Sequence, residues 1–236
     1  MFQRLVVPVL AFGFALAFAG CSTPASNSAR GPATAAATAT VTVAEPPNLY
    51  LLKQELKAYI DRGDYDAGIA QVAGEAKAWI EQRAAQGGKL AIVLDIDETA
   101  LSNLKHMREM DFGYIPALWD QWVADADGPA IESVRDIFRT ARTRGVAVFF
   151  MTGRKTTDAP GTIKNLQAAG MDDYAGLDFK PNGYADTTQS FKTATRKKIT
   201  EDGYTIIANI GDQHSDLDGG YAERTFKLPN PFYITK

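Results

Sequence analysis

KLAIVLDIDETALSN, Lys89 to Asn103, runs a short apolar segment straight into three acids, Asp95, Asp97 and Glu98. Ionised carboxylates resist desolvation and repel one another, so a cluster this dense beside a core needs a compensating partner. The apolar part, LAIVLD, is short and continuous, as in strands buried on both faces. Two further runs share the design: VAVFFM (146–151) passes into TGR, and YTIIANI (204–210) passes into GDQHSD.

Helical patterns separate these runs. NLYLLKQELKAYI (48–60) and YDAGIAQVAGEAKAWIEQRAAQG (65–87) precede the first strand, the second closing on Gly87 and Gly88. PAIESVRDIFRTARTRG (129–145), TIKNLQAAG (162–170) and TQSFKTATRKKITEDG (188–203) follow. Apolar runs alternating with helices predict an α/β domain with a mainly parallel sheet. In such sheets ligands bind beyond the carboxyl ends of the strands, so the three polar clusters are expected at one edge.

Asp95, Asp97, Asp212 and Asp216 would repel one another there without a cation. All-oxygen ligation points to Mg2+, which takes one or two carboxylates and meets a substrate phosphate. Zinc lacks a tetrahedral set, because the only histidines are His106 and His214 and the only cysteine is Cys21. A calcium loop counted from Asp95 finds Ala100 and His106 where glycine and glutamate belong, and one counted from Asp212 finds Leu217 at the glycine. Anion donors stand alongside: the Thr152 hydroxyl, the backbone N–H at Gly153, and a cation at Lys192 or Arg154. Asp95 is placed to attack phosphorus and Asp97 to exchange a proton with the leaving group and then with water. Glu98 is expected to fix its loop.

The interval 107–129, MREMDFGYIPALWDQWVADADGP, holds Phe112, Tyr114, Trp119 and Trp122. It reads either as a satellite core or as a small cap whose aromatic faces stack on a leaving group. His214 is a candidate lining residue with Phe112 and Tyr114.

The chain's 236 residues are 45% hydrophobic and 22% charged with a formal net charge of −3, enough for one domain with a core and without the basic excess of a nucleic-acid binder. Arg4 and the apolar stretch LVVPVLAFGFALAFAG (5–20) form an export signal over residues 1–20. This segment resembles a bacterial lipoprotein signal ending at Cys21, with Phe18 where leucine is usual; an ordinary secretory signal is the alternative. Ser22 is compatible with outer-membrane sorting. Residues 21–45, rich in Ala, Thr, Pro and Ser, read as a flexible tether, and 46–236 as the catalytic domain.

DIDET, MTGR, Lys192 in SFKTATRKK, and GDQHSD resemble, in order, the four motifs of the haloacid dehalogenase superfamily of aspartate-nucleophile phosphatases. With GYTIIANIGDQHSDL and RTFKLPNPFYI, the chain is similar to its secreted acid phosphatase branch, bacterial classes B and C and plant vegetative storage proteins. His214 replaces the tryptophan of the plant pattern GDQWSDL. The resemblance implies a Rossmannoid three-layer sandwich with a small cap. It implies Asp95 as nucleophile and metal ligand, Asp97 as acid/base with its carbonyl on the metal, and Thr152 and Lys192 on the phosphoryl oxygens. Asp212 and Asp216 would complete the magnesium site. Expected substrates are nucleotide monophosphates, aryl phosphates or sugar phosphates, handled by a protein exported and lipid-anchored on Cys21 in the outer membrane of a Gram-negative bacterium. A storage-type binding lipoprotein and a phosphotransferase are the alternatives, and a homodimer stays open.

Overall fold

The computed structural model describes residues 45–235. The signal, Cys21 and nearly all of the tether lie outside the described residues. Among the described residues, no helix is long and apolar enough to cross a membrane.

Five parallel strands form one sheet in the order β3-β2-β1-β4-β5, with β1 at Leu90–Leu94, β2 at Ala147–Lys155, β3 at Gly176–Lys180, β4 at Thr205–Gly211 and β5 at Thr225–Lys227. β1 is central and buried throughout, which is why its sequence is unbroken apolar. Its side chains alternate between two cores. Leu90, Ile92 and Leu94 join one with the inner faces of α2 (Asp64–Ala84) and α5 (Glu132–Thr143); Ala91 and Val93 join another with Met151, Ile206 and Ile199 of α7 (Thr188–Glu201). Each fully buried aliphatic side chain contributes about 1.5–3 kcal/mol. α5 buries Val134, Ile137, Phe138 and Ala141, one stripe at helical spacing. Helix, sheet and helix make the three layers.

Among the described residues the remaining α-helices are α1 (Leu49–Asp61), α3 (Leu104–Glu109), α4 (Pro116–Asp125), α6 (Ala159–Ala168) and α8 (His214–Leu217). α3 and α4 occupy the aromatic interval after β1. At Gly161 a Cβ would lie 2.2 Å from the Val123 carbonyl oxygen, so glycine is what lets α6 approach α4.

β3 and β5 carry no continuous apolar run: GLDFK is half-buried along its length and β5 has three residues. Both are edge strands, where burial demands less of the sequence.

Register brings the clusters together. Leu94 pairs with Phe150 on one side and Ile210 on the other. Asp95 therefore follows the paired row by one residue, and Thr152 and Asp212 by two. The chain runs outward from β1 through β2 to β3, then returns to the opposite side of β1 at β4, a reversal that opens a crevice at the strand ends.

Candidate active site

At that edge lies a cleft of about 1150 Å³ whose lining includes Asp95, Asp97, Gly153, Lys192, Asp212 and Asp216. Asp95 is fixed by its backbone N–H, which donates to the Ile210 carbonyl at 3.0 Å, and is 6% exposed. The buried Lys192 ammonium donates to Asp95 Oδ1 and, at 2.7 Å, to Asp216 Oδ1. Asp216 Oδ2 accepts the Gln213 N–H at 2.8 Å, closing the short α8 on itself. Gly211 allows this fold-back, since a Cβ there would sit 2.5 Å from that of Asp216. Asp212 accepts from Gln213 Nε2 and Asn230 Nδ2, each at 2.6 Å, and from Thr99 Oγ1 at 3.2 Å.

Carboxylate oxygens of Asp95, Asp212 and Asp216 lie within 4.8 Å of one another, all three residues buried. Burial and then the neighbouring Asp216 push the Asp95 carboxyl well above the usual carboxylate range, and the same causes raise Asp212 to about 6. Burial works against the Lys192 charge, but Asp216 and Asp95 outweigh it and hold the ammonium above its ordinary value. One lysine among three buried acids leaves negative charge unbalanced, and the donors are all oxygen: the residues fit a divalent hard cation.

Asp97 faces a different environment. Its Oδ1 accepts from Arg154 Nη2 at 2.7 Å, Arg154 Nε at 3.1 Å and Asn103 Nδ2 at 2.9 Å. Arg154 is itself buried, bonded to Thr162 Oγ1 and lying 5.6 Å from the Trp119 ring centre. Burial opposes its charge, yet Asp97 holds the guanidinium above its ordinary value. Glu98 adopts φ 53 and is fully buried, its Oε1 accepting the Asn103 N–H at 2.7 Å. Burial and the adjacent Asp97 push its carboxyl up to about 8.

The structure thus brings Asp95, Asp97, Gly153, Lys192, Asp212 and Asp216 to one cleft. Thr152 is fully buried just behind it, its Oγ1 accepting the Arg154 N–H at 3.0 Å. Phe112 and Tyr114 line the cleft; His214 is exposed and outside its lining, because α8 turns Asp216 inward and His214 outward. His106 lines the cleft instead, stacked on Trp122 with ring centres 5.5 Å apart. The aromatic interval is therefore a wall of the cleft as well as a packing unit. Sequence reasoning missed Asn103, Gln213, Asn230 and Tyr233. Asn103 closes the first acid cluster by a short turn, a detectable signal; the last two lie far along the chain, and nothing local ties them to the acids.

The sequence profile of the HAD superfamily, subfamily IIIB (Acid phosphatase), matches residues 21–236. The chain belongs to this family. It is 32% identical over 184 residues to acid phosphatase 1 of Solanum lycopersicum, covering 75% of this chain and 72% of that protein. It is 36% identical over 152 residues to the stem 28 kDa glycoprotein of Glycine max, covering 61% of this chain and 60% of that protein. The class C acid phosphatase of Bacillus anthracis superimposes with a TM-score of 0.64 at 26% identity, over 78% of this chain and 86% of that one.

Proposed function

We propose that the protein is a magnesium-dependent phosphomonoesterase that works through an aspartyl phosphate on Asp95. The observation that carries this reading is the convergence of Asp95, Asp212 and Asp216 around a buried Lys192 at the sheet edge. A carboxylate oxygen of Asp95 attacks phosphorus while the ester bond to the leaving oxygen breaks, and Asp97 gives that oxygen its proton. Asp97 then takes a proton from the water that attacks the phosphoryl group, freeing Asp95 and releasing phosphate. Lys192 and the Gly153 N–H neutralise phosphoryl oxygens, and the Thr152 hydroxyl keeps its own hydrogen to donate. Asp95, Asp212, Asp216 and the Asp97 carbonyl would hold Mg2+, which when bound neutralises charge on the transferring group.

Phe112, Tyr114 and Trp119 suit a flat leaving group, so aryl phosphates and nucleotide monophosphates lead among the substrates, with sugar phosphates behind. Residues 46–236 form the catalytic domain, carried by a tether over 21–45 from a lipid on Cys21, outside the inner membrane.

The test is phosphate release from para-nitrophenyl phosphate and adenosine monophosphate by purified protein with magnesium, with chelator, and as Asp95→Asn. Magnesium-dependent release lost in Asp95→Asn supports the reading. No release by folded, metal-replete protein sinks it in favour of a binding lipoprotein. Transfer to added alcohol exceeding hydrolysis would recast the protein as a phosphotransferase.

A further inference from the structure

Segment 228–235 returns across the site it follows in sequence. The Leu228 N–H donates to the Gly211 carbonyl at 2.9 Å, Asn230 reaches Asp212, and the Thr235 N–H donates to Gln213 Oε1 at 3.0 Å. Phe232 packs against Tyr65 and Phe112, with ring centres 4.9 and 5.8 Å away. This anchoring brings the Tyr233 hydroxyl to Glu98 Oε2, to which it donates.

Glu98 passes that contact onward. Asn103 grips it twice, by its backbone N–H on Oε1 and by Nδ2 on Oε2 at 3.3 Å. The same Nδ2 donates to Asp97 Oδ1. Asn103 cannot turn its amide over, because Oδ1 accepts the Trp122 indole N–H at 2.8 Å, and an inverted amide would set donor against donor there and acceptor against carboxylate on the other side. A continuous line of hydrogen bonds therefore runs from Tyr233 through Glu98 and Asn103 to Asp97. It ends on the oxygen that Arg154 also holds. Oδ2 accepts only from Arg154 Nε, at 3.2 Å, and is the oxygen left to meet a substrate.

We infer that Tyr233 is a positioning residue for the proton carrier Asp97, acting through Glu98 and Asn103. The inference rests on the phosphatase reading above. Without the Tyr233 hydroxyl, Glu98 loses a partner on Oε2, draws Asn103 Nδ2 toward itself and slackens the hold on Asp97. Proton donation matters most when the leaving oxygen is a strong base, so the loss should grow as the leaving group worsens. A purely structural role would lower the active fraction and slow all esters alike.

The experiment compares kcat/KM for para-nitrophenyl phosphate, a good leaving group, with glycerol 2-phosphate, a poor one, in wild type, Tyr233→Phe, Asn103→Ser and the double variant. Tyr233→Phe keeps the ring and its packing. Its loss is expected to be about ten-fold greater for glycerol 2-phosphate than for para-nitrophenyl phosphate. Asn103→Ser should show the same bias, and the double variant no more than the larger single loss, as for residues acting in series. Equal losses on both esters, or no loss, in an active wild-type background would overturn the assignment; if Tyr233→Phe fails to fold, the same comparison in Asn103→Ser decides. A wild type that turns over neither ester removes the phosphatase reading and the assignment with it.

Discussion

Asp95 and Asp97 are two residues apart yet solve the problem of a buried charge in opposite ways. Asp95 sits among other acids and shares one lysine with Asp216, so burial and the neighbouring acid push the Asp95 carboxyl upward and the charge in that half of the site is incompletely matched. Asp97, whose side chain is 18% exposed, is gripped by a buried arginine and an asparagine. The first arrangement leaves room for added positive charge and an anion; the second fixes the direction of one carboxylate. On the proposed mechanism, a nucleophile that must accept a phosphoryl group and a proton carrier that must point correctly call for these different environments.

The contrast breaks first at the proposed nucleophile. Asp95→Asn should lower turnover roughly 1000-fold or more, measured as phosphate release, while Asp97 keeps its partners. Lys192→Met should follow: stripping the cation from buried acids costs about 3–5 kcal/mol, read by urea unfolding at neutral pH. A loss no greater than that of Arg154→Met would mean the acids do not depend on the lysine.

Acidity sharpens the comparison. Asp212 titrates at about 6 and Glu98 at about 8 in the folded chain, against 3.8 and 4.5 as ordinary values. The folded state therefore binds protons that the unfolded chain has released, and stability is highest below pH ~4 on this count and is lost as pH rises through 6 and then 8. Lys192, raised from 10.5, contributes fully across this window and does not reverse the sign. Metal-free protein should be on the order of 5 kcal/mol less stable at pH 8 than at pH 5, and magnesium should narrow the gap in thermal unfolding. An unchanged gap would separate the acid cluster from metal binding.

Arg154→Met should cost about 1–2 kcal/mol, since Asp97 keeps Asn103 and some water. The smallest effect belongs to His214→Ala: exposed and outside the cleft, it should change stability by less than about 0.5 kcal/mol.

What the sequence disclosed follows how each feature is encoded. β1, β2 and β4 are legible because central strands buried on both faces must be apolar throughout. β3 and β5, at the edges, escape because GLDFK and TFK meet no such demand. The acids announce themselves by charge at strand ends, whereas Lys192, one of several cations along α7, stands out only through the motif it resembles. Asn230 and Tyr233 do not stand out, because an amide or phenol acquires its role only from distant partners, 18 positions away for Asn230 and Asp212 and 135 for Tyr233 and Glu98. His214 shows the converse: next to the acid cluster in sequence, it is turned away by a single helical turn.

The return of segment 228–235 bears on the order in which the molecule becomes competent. The first acid cluster is complete at Asn103, the lysine comes at 192, the last acid at 216, and the residue that steadies Asp97 only at 233. A polypeptide emerging from the ribosome, or threaded across a membrane, with its N-terminus leading can pair β1, β2 and β3 well before this arrangement closes, whereas β4 and β5 come only at 205–211 and 225–227. On the proposed mechanism, the alignment of Asp97 therefore waits for residue 233, long after Asp97 itself and its Asn103 contact have been made.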